Sequence, residues 1–485
     1  MSSILKGGRL TATRPDVVKF ISSLKADQRI ALSAILVNEA HVIALERCRA
    51  VEKTTARRIL RELRKLEKLE LASGNKEDVH LMIEEFVSRQ AGEEVGGFMH
   101  IGKSRNDQVV TAIRMTLRTE MQELAQELLT FEVSLIGLAT KYVSCVFPGY
   151  THLQPAQPIT FGHYLIANCF SLIRDSDRLA EAYARVNLSP MGAGALAGTS
   201  FSLDRVLVAR LLGFDGIVQA SLDAVGERDF ALETLAIFAI IATDLSRIAS
   251  DLIFYSSADA ALIDLPEELA STSSIMPQKK NPDPLELIRA KSAKVAASFG
   301  SATALLHGLT SGYHLDYQEI TPLLWQSLDE LKSCVKILGI VVPRIRLDKA
   351  IASRSYLELT AATEIANILV REESLPFRTA HKKVGFLVKS AVKQRKSLRT
   401  MKRSDLEAAL GVPVKEDTLS LIVHALDLNQ HIRTYKTAGS PNPRETKLLV
   451  ARASSRCREL ERTIADAREK REAGMLLLRK MTAAI

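Results

Sequence analysis

The sequence predicts an all-α chain built around a central bundle of long helices, and three observations carry that expectation. Helix-forming Leu, Ala, Lys, Arg and Glu dominate the 485 residues, against only 24 Gly, 15 Pro and 5% aromatics. From Gln108 to about Tyr142 there is no proline and a single glycine, while Ile113, Leu117, Met121, Leu124, Leu128, Phe131, Leu135, Leu138 and Tyr142 recur every three or four residues. That spacing predicts one helix of about 35 residues, roughly 50 Å long at about 1.5 Å per residue. Four more segments, Phe161–Asn187, Glu227–Ser256, Pro282–Leu309 and Pro322–Val342, have the same pattern and supply partners of matching length.

The chain is too long for one simple core and divides into three parts. Residues 1–108 form an N-terminal helical domain. It holds a polar arm, an amphipathic helix from about Lys25 to Val51, and a second from Thr54 to Leu71, with Thr54 or Thr55 as its cap and Ser73-Gly74-Asn75 as its stop. Residues 109–360 form the long-helix bundle, in which Asn281-Pro282 and Thr321-Pro322 each read as a cap followed by an N1 proline. The broad apolar faces of these helices imply that neighbouring subunits complete the core. Residues 361–485 are expected to be a small C-terminal domain of shorter helices, broken at Leu375-Pro376 and across Ala438–Pro443.

Composition excludes several function classes. Five cysteines without a C-x-x-C pair argue against a disulfide framework or a zinc site and point to a reducing cytoplasm. The most apolar stretch, Leu235–Ala242, is far shorter than the roughly 20 residues that span a bilayer, and the first residues lack a signal-peptide core. Net charge is +9, and nine Lys/Arg fall between His381 and Arg403 with no acid among them. An apolar stripe of Val384, Leu387, Val388, Ala391 and Val392 puts those cations on a solvated helix face, so neither nucleic acid nor membrane is an expected partner. Met191–Gly198 has the spacing G-x-G-x-x-x-G with no preceding strand; its glycines fit close backbone approach, not a dinucleotide.

Three polar segments flank the bundle helices. Lys103–Gln108, KSRNDQ, puts Ser104, Arg105 and Asn106 at the positive end of the long helix, where Asn106 or Asp107 would cap it and the group would hold a carboxylate. Pro148–Pro158 carries three prolines that stiffen a loop presenting Thr151, His152, Gln154 and Gln157, and a histidine so placed suits acid–base work. Ser271–Pro282, STSSIMPQKKNP, gathers hydroxyls, two lysines and an asparagine. Such residues are ordinary in a solvated loop, but together they suit abstraction of a proton beside a carboxylate, where donors must meet the charge that develops.

The order S-S-I-M-P-x-K-x-N resembles the signature loop of the fumarase/aspartase superfamily, and the Gln278-Lys279-Lys280 that follows Met-Pro resembles the argininosuccinate lyases. Similar segments run in the same order from Gly7-Gly8-Arg9 and Phe20–Asp27 through Glu77–His80, Ser104–Gln108, Pro148–Gln154, Asp223–Phe230 and Ser273–Asp283 to Tyr313–Glu319 and Leu375–Arg378. The resemblance implies cleavage of argininosuccinate to arginine and fumarate by a cytoplasmic homotetramer whose active sites each draw on three subunits, with no metal or organic cofactor. By position, Ser273 would be the base, Lys279 and Asn281 would stabilise the aci-carboxylate, and His152, paired with Glu286, would help protonate the departing nitrogen. Ser104, Arg105, Asn106 and Thr151 would take the succinyl carboxylates, and Ser23, Tyr313 and Gln318 the arginine end.

Departures from the family pattern are Thr272 in place of Gly, Lys103 and Ile101 for Arg and Thr, Gly226 for Ser, and Thr321 where some members carry a lysine. The alternatives are a sister lyase acting on adenylosuccinate, against which Gln278-Lys279-Lys280 and KSRNDQ weigh, and a non-catalytic structural relative, against which the joint presence of Ser273, Lys279, Asn281 and His152 weighs.

Overall fold

The computed structural model describes residues 13–68, 77–348, 350–411 and 413–485, so Gly7-Gly8-Arg9 and the stop at Ser73-Gly74-Asn75 lie outside the described residues. As the sequence predicts, the chain is all-α. Among the described residues, strand structure is confined to four two-stranded ladders.

The organising element is the helix Arg105–Lys141, whose 37 residues span about 55 Å. It packs against Phe161–Val186, Ile320–Val341 and Pro443–Ala484, while Asp229–Ser256 lies against Phe161–Val186 and Asp283–Leu306. Side chains from all of them, including Leu117, Leu128, Leu172, Phe238, Leu328 and Leu460, share one buried core. Successive helices run up and down, so the bundle has two distinct ends. At one end the start of the long helix meets the start of Asp229–Ser256, with the Arg114 guanidinium 3.9 Å over Phe230. At the other, Tyr150 meets Phe254 edge-on at 5.1 Å and Phe147 meets Tyr255 at 5.0 Å, which pins the segment after the long helix to the end of Asp229–Ser256.

Local chemistry moves several expected boundaries. The second N-terminal helix runs from Lys53 to Leu66 and is preceded by Glu52, without a side-chain cap from Thr54 or Thr55. Neither proposed cap–proline pair starts a helix. Asn281 lies in a strand opposite Ser271, and the following helix begins at Asp283 with Pro284 in its first turn. The helix expected at Pro322 begins at Ile320, because a 3-10 turn over Leu315–Glu319 feeds directly into it; Pro322 falls in the first turn, where its missing N–H leaves no bond unmade.

Packing also redraws the third part of the chain. Ile365, Leu369, Val384, Leu387, Leu406 and Ile422 form a separate core, whereas Ala453, Cys457, Leu460 and Leu478 belong to the bundle core. Shorter helices were expected to the C-terminus, but Pro443–Ala484 is a single helix of 42 residues, capped by Asn442, whose side chain accepts from the Arg444 N–H at 2.9 Å. The breaker run Ala438–Pro443 therefore returns the chain to the bundle, and residues 361–485 are not one packing unit.

One buried acid lies where three helices meet. Glu132 is fully buried, accepts from the Ser176 hydroxyl at 2.6 Å and the Cys457 thiol at 3.5 Å, and has no cationic partner among the described residues. Burial pushes its carboxyl up from 4.5 to about 7. The folded chain thus holds this proton more tightly than the unfolded chain, so stability falls as pH rises through the window between those two values and then levels off. Glu132→Gln is expected to raise the melting temperature at about pH 8, by removing a penalty on the order of 3 kcal/mol, and to leave it nearly unchanged at about pH 5. Equal shifts at both pH values in a thermal melt would show that the carboxyl titrates normally.

Candidate active site

At the first end of the bundle, the start of the long helix is fixed by a reciprocal cap. Ser104, not Asn106 or Asp107, is the cap: its hydroxyl accepts from the Asn106 N–H at 3.2 Å, and Asp107 Oδ1 accepts from the Ser104 N–H at 3.0 Å. The other Asp107 oxygen accepts from the N–H groups of Gly192 (3.0 Å) and Gly194 (2.9 Å). Gly194 has φ +61° and a side chain there would meet the Gly198 carbonyl at 2.7 Å, so the glycines of Met191–Gly198 serve this close approach. Burial raises the Asp107 carboxyl to about 6 although three backbone N–H groups oppose it.

Beside this cap lies a cavity of about 200 Å³ that includes Ser23, Arg105, Asn106, Tyr313 and Gln318 in its lining. Ser23 donates to Asp27 at 2.6 Å. Asp27 is buried, and burial, reinforced by Asp78, raises its carboxyl to about 6. Arg105 pairs with Asp78 at 2.7 Å and Glu77 at 3.4 Å, and Asp78 in turn caps Val79–Ala91 through the Leu81 N–H. Asn106 donates to the Ala195 carbonyl at 3.1 Å. Tyr313 stands edge-on to Tyr317 at 5.7 Å, and the Tyr317 hydroxyl donates to the carbonyls of Gly226 and Gly312 at 2.7 and 3.2 Å.

The remaining expected residues lie at the other end. The proline-rich segment is a β-hairpin, Val146–Thr151 against Gln154–Thr160, and not an irregular loop. His152 and Leu153 form its two-residue turn with φ of 54° and 57°, the left-handed geometry such turns require. Thr151 and His152 are exposed at the tip. The Ser271–Asn281 loop is closed at its base by the pairs Ser271↔Asn281 and Thr272↔Lys280, so Thr272 sits in extended backbone that suits a β-branched residue. Lys280 is held by Asp264 at 2.7 Å, leaving Lys279 exposed without an ion pair among the described residues. Ser273 is half-buried, and its hydroxyl oxygen accepts from the N–H groups of Ile275 (3.4 Å) and Met276 (3.3 Å). Glu286 is exposed in the first turn of Asp283–Leu306.

One chain thus brings together Ser23, Arg105, Asn106, Tyr313 and Gln318, with Ser104 at their edge, and keeps Thr151, His152, Ser273, Lys279, Asn281 and Glu286 apart from them. The helix Asp229–Ser256 that separates the two ends has 28 residues, or about 42 Å. Among the lining residues to which sequence reasoning gave no role are Asp27, His80, whose buried ring nitrogens have no hydrogen-bond partner among the described residues, and Arg228. All three lie in segments named for their resemblance, but nothing in local spacing shows that a tertiary fold turns them to one cavity. Burial lowers His80 to about 4, so it is neutral at physiological pH.

The comparisons with known proteins follow the same lines. A family model described as Lyase matches residues 19–297 and one described as Argininosuccinate lyase C-terminal matches residues 359–432. The argininosuccinate lyase of Methanosarcina mazei is 39% identical over 469 residues, 95% of this chain and 94% of its own. That of Methanothrix thermoacetophila is 40% identical over 94% of this chain and 95% of its own. Among solved structures, EDDS lyase in complex with formate has a TM-score of 0.87 at 27% identity, covering 94% of this chain and 91% of its own. A class II fumarase from Schistosoma mansoni, with a TM-score of 0.70, 16% identity and coverage of 82% and 90%, shares the fold.

Asp107→Asn tests the cap on which this end is built. The amide has one acceptor oxygen and sets a donor against backbone donors, so a loss of about 2–4 kcal/mol is expected in urea unfolding. An unchanged midpoint would mean that Asp107 does not hold the Gly192–Gly194 turn.

Proposed function

The chain belongs to the argininosuccinate lyase family, and from that premise we propose how its residues divide the reaction. It is a carbon–nitrogen lyase that eliminates L-arginine from argininosuccinate and leaves fumarate, a step of arginine biosynthesis. No helix among the described residues is long and apolar enough to cross a membrane. All five cysteines are free thiols, which supports a cytoplasmic location.

In the proposed mechanism Ser273 removes a proton from the succinyl carbon next to the distal carboxylate. Two backbone N–H groups aimed at its oxygen favour negative charge there, and Lys279 adds a cation from the same loop. The electron pair freed by this C–H bond passes into the adjacent carboxylate, where Lys279 and Asn281 meet the extra charge. Its return forms the C=C bond of fumarate and breaks the C–N bond. His152, with Glu286 as its acidic partner, supplies the proton to the departing guanidino nitrogen. Ser104, Arg105, Asn106 and Thr151 hold the succinyl carboxylates, and the positive end of the long helix adds to their field. Ser23, Tyr313 and Gln318 hold the arginine end, where the neighbouring Asp27 carboxylate suits an α-ammonium.

The single observation that carries the assembly is the separation of these groups. Asn106 lies in the first turn of a 37-residue helix and His152 beyond its other end, and the helix alone spans about 55 Å. No single chain closes that gap, so we assign the active sites to a homotetramer in which subunits lie side by side in opposite directions and supply residues to each other's sites. Exposed apolar side chains on the bundle helices, Val133, Ile240 and Leu287, support such contacts.

The purified protein is expected to turn over argininosuccinate, read as fumarate absorbance, and not adenylosuccinate; the opposite preference would overturn the substrate assignment. Ser273→Ala should lower kcat by about a hundredfold or more while leaving assembly and substrate binding intact, and near-normal kcat would remove Ser273 as the base. Site sharing has its own test. Ser273→Ala and Asn106→Ala variants, each inactive alone, should regain activity when dissociated and reassembled together, because some mixed sites then contain both native residues. Persistent inactivity of a mixture proven to form hybrids would place each site within one subunit.

A further inference from the structure

Arg228 is the cation lining the cavity that the proposed mechanism does not use. It is only 4% exposed and immediately precedes the helix Asp229–Ser256. Its guanidinium lies 4.2 Å over the ring of Tyr317 and 5.7 Å from that of Tyr313, so contact with two aromatic rings fixes its position. One nitrogen, Nη1, donates to the carbonyls of Val225 (3.0 Å) and Glu227 (2.8 Å). Nε and Nη2, which together form the other edge of the guanidinium, have no acceptor among the described residues. That edge is the fork that binds a carboxylate through two parallel hydrogen bonds.

The other charges of the cavity do not compete for such a ligand. Arg105 is paired through Nη1 with Asp78 and Glu77 and is given by the proposed mechanism to the succinyl carboxylates, and His80 is neutral. Among the described residues, no carboxylate is ion-paired to Arg228. Burial lowers its guanidinium to about 10, which leaves it charged at neutral pH. A buried, unmatched cation with a free bidentate edge is unfavourable in an empty site and is best explained by a ligand that brings the missing anion. Thr321 lines the same cavity, is buried, and contributes no charge.

We infer that Arg228 binds the α-carboxylate of the arginine end of the substrate, and so selects α-amino acids over simple guanidino amines at this site. The inference rests on the proposed placement of the arginine end beside Ser23, Tyr313 and Gln318. Asp27 and Arg228 then form a pair of opposite charges across the cavity, one for the ammonium and one for the carboxylate of the same amino acid. Tyr313 and Tyr317 hold the guanidinium plane and keep it from folding back onto Asp27 or Asp78.

The reverse reaction separates this role from a structural one. Addition of arginine to fumarate is compared with addition of agmatine, which is arginine without its α-carboxylate, by the loss of fumarate absorbance. The unsubstituted enzyme should prefer arginine, and Arg228→Gln should reduce the ratio of kcat/KM values by about ten- to a hundredfold, mostly by slowing arginine. Adding Thr321→Lys to Arg228→Gln should restore part of the preference, since it returns a cation to the same cavity. If Arg228→Gln does not fold, Arg228→Lys gives the same reading: it keeps the charge but loses the fork, and the ratio should still fall. A ratio unchanged in these variants, or equal losses for both amines, would overturn the assignment. Neither result would touch the lyase reading, which is tested by argininosuccinate turnover in the unsubstituted enzyme.

Discussion

The length of the helix Arg105–Lys141 is the constraint from which the rest of this molecule follows. A continuous hydrogen-bonded rod of 37 residues fixes its ends about 55 Å apart and does not bend to bring them together. Most residues proposed to hold substrate lie at the start of that rod, and Thr151 with the residues proposed to move protons and meet the developing charge lies beyond its end. This distance also explains the apolar side chains left on the outside of the bundle. A rod this long needs neighbours along its whole length, and one chain supplies them on some faces only. In the proposed assembly, the neighbours that cover those faces are the same ones that bring the second set of residues into reach.

Asp107 shows how the rod is tied to the chemistry at its start. One oxygen closes the cap with Ser104, and the other holds two glycine N–H groups from a distant turn. Arg105 and Asn106, which point away from the cap, therefore inherit their positions from a buried carboxylate that itself never needs to touch substrate. Lys103 adds to this arrangement from beneath. It is buried, donates to Asn38, and faces the charges of Glu84 and Asp107, with burial lowering its ammonium to about 8. The replacement of the family's usual arginine by Lys103 thus falls on the support of the site and not on its lining.

How much could be read from sequence divides along physical lines. The long helices were legible because apolar periodicity over 20 to 35 residues is a strong local signal that packing only reinforces. Cap positions were less so. Asn281-Pro282 and Thr321-Pro322 have the right composition, but a strand pair at Asn281 and a 3-10 turn before Ile320 took precedence. The hairpin was hidden because three prolines argue against a strand, and only the pairing of Pro148 with Pro158, placed where no ladder N–H is required, shows how it is tolerated. Ser273, His152 and Asn281 stand out as candidates through residue type and order. Asp27, His80 and Arg228 do not, because their meaning lies in a cavity assembled from segments as far apart in sequence as Ser23 and Thr321 and in charges left unmatched once those segments meet.

The hairpin tip joins stability to function in the same way. His152 and Leu153 both adopt left-handed backbone, which disfavours an L-residue by about 1–2 kcal/mol each, and Leu153 is 69% exposed in the single chain. A glycine pair would form this turn with less strain and no exposed hydrocarbon. Keeping His and Leu there makes sense only if the tip has somewhere to go. Burying most of a leucine side chain contributes about 1.5–3 kcal/mol, which offsets much of the roughly 2–4 kcal/mol of backbone strain in the two residues. If that burial is supplied by a neighbouring subunit, the isolated chain holds its histidine at the end of a turn it does not favour, and assembly both stabilises the turn and delivers the imidazole. In the proposed assembly, acid–base chemistry is thereby tied to the assembled state: a lone subunit presents the histidine to water, and the proposed oligomer presents it to substrate.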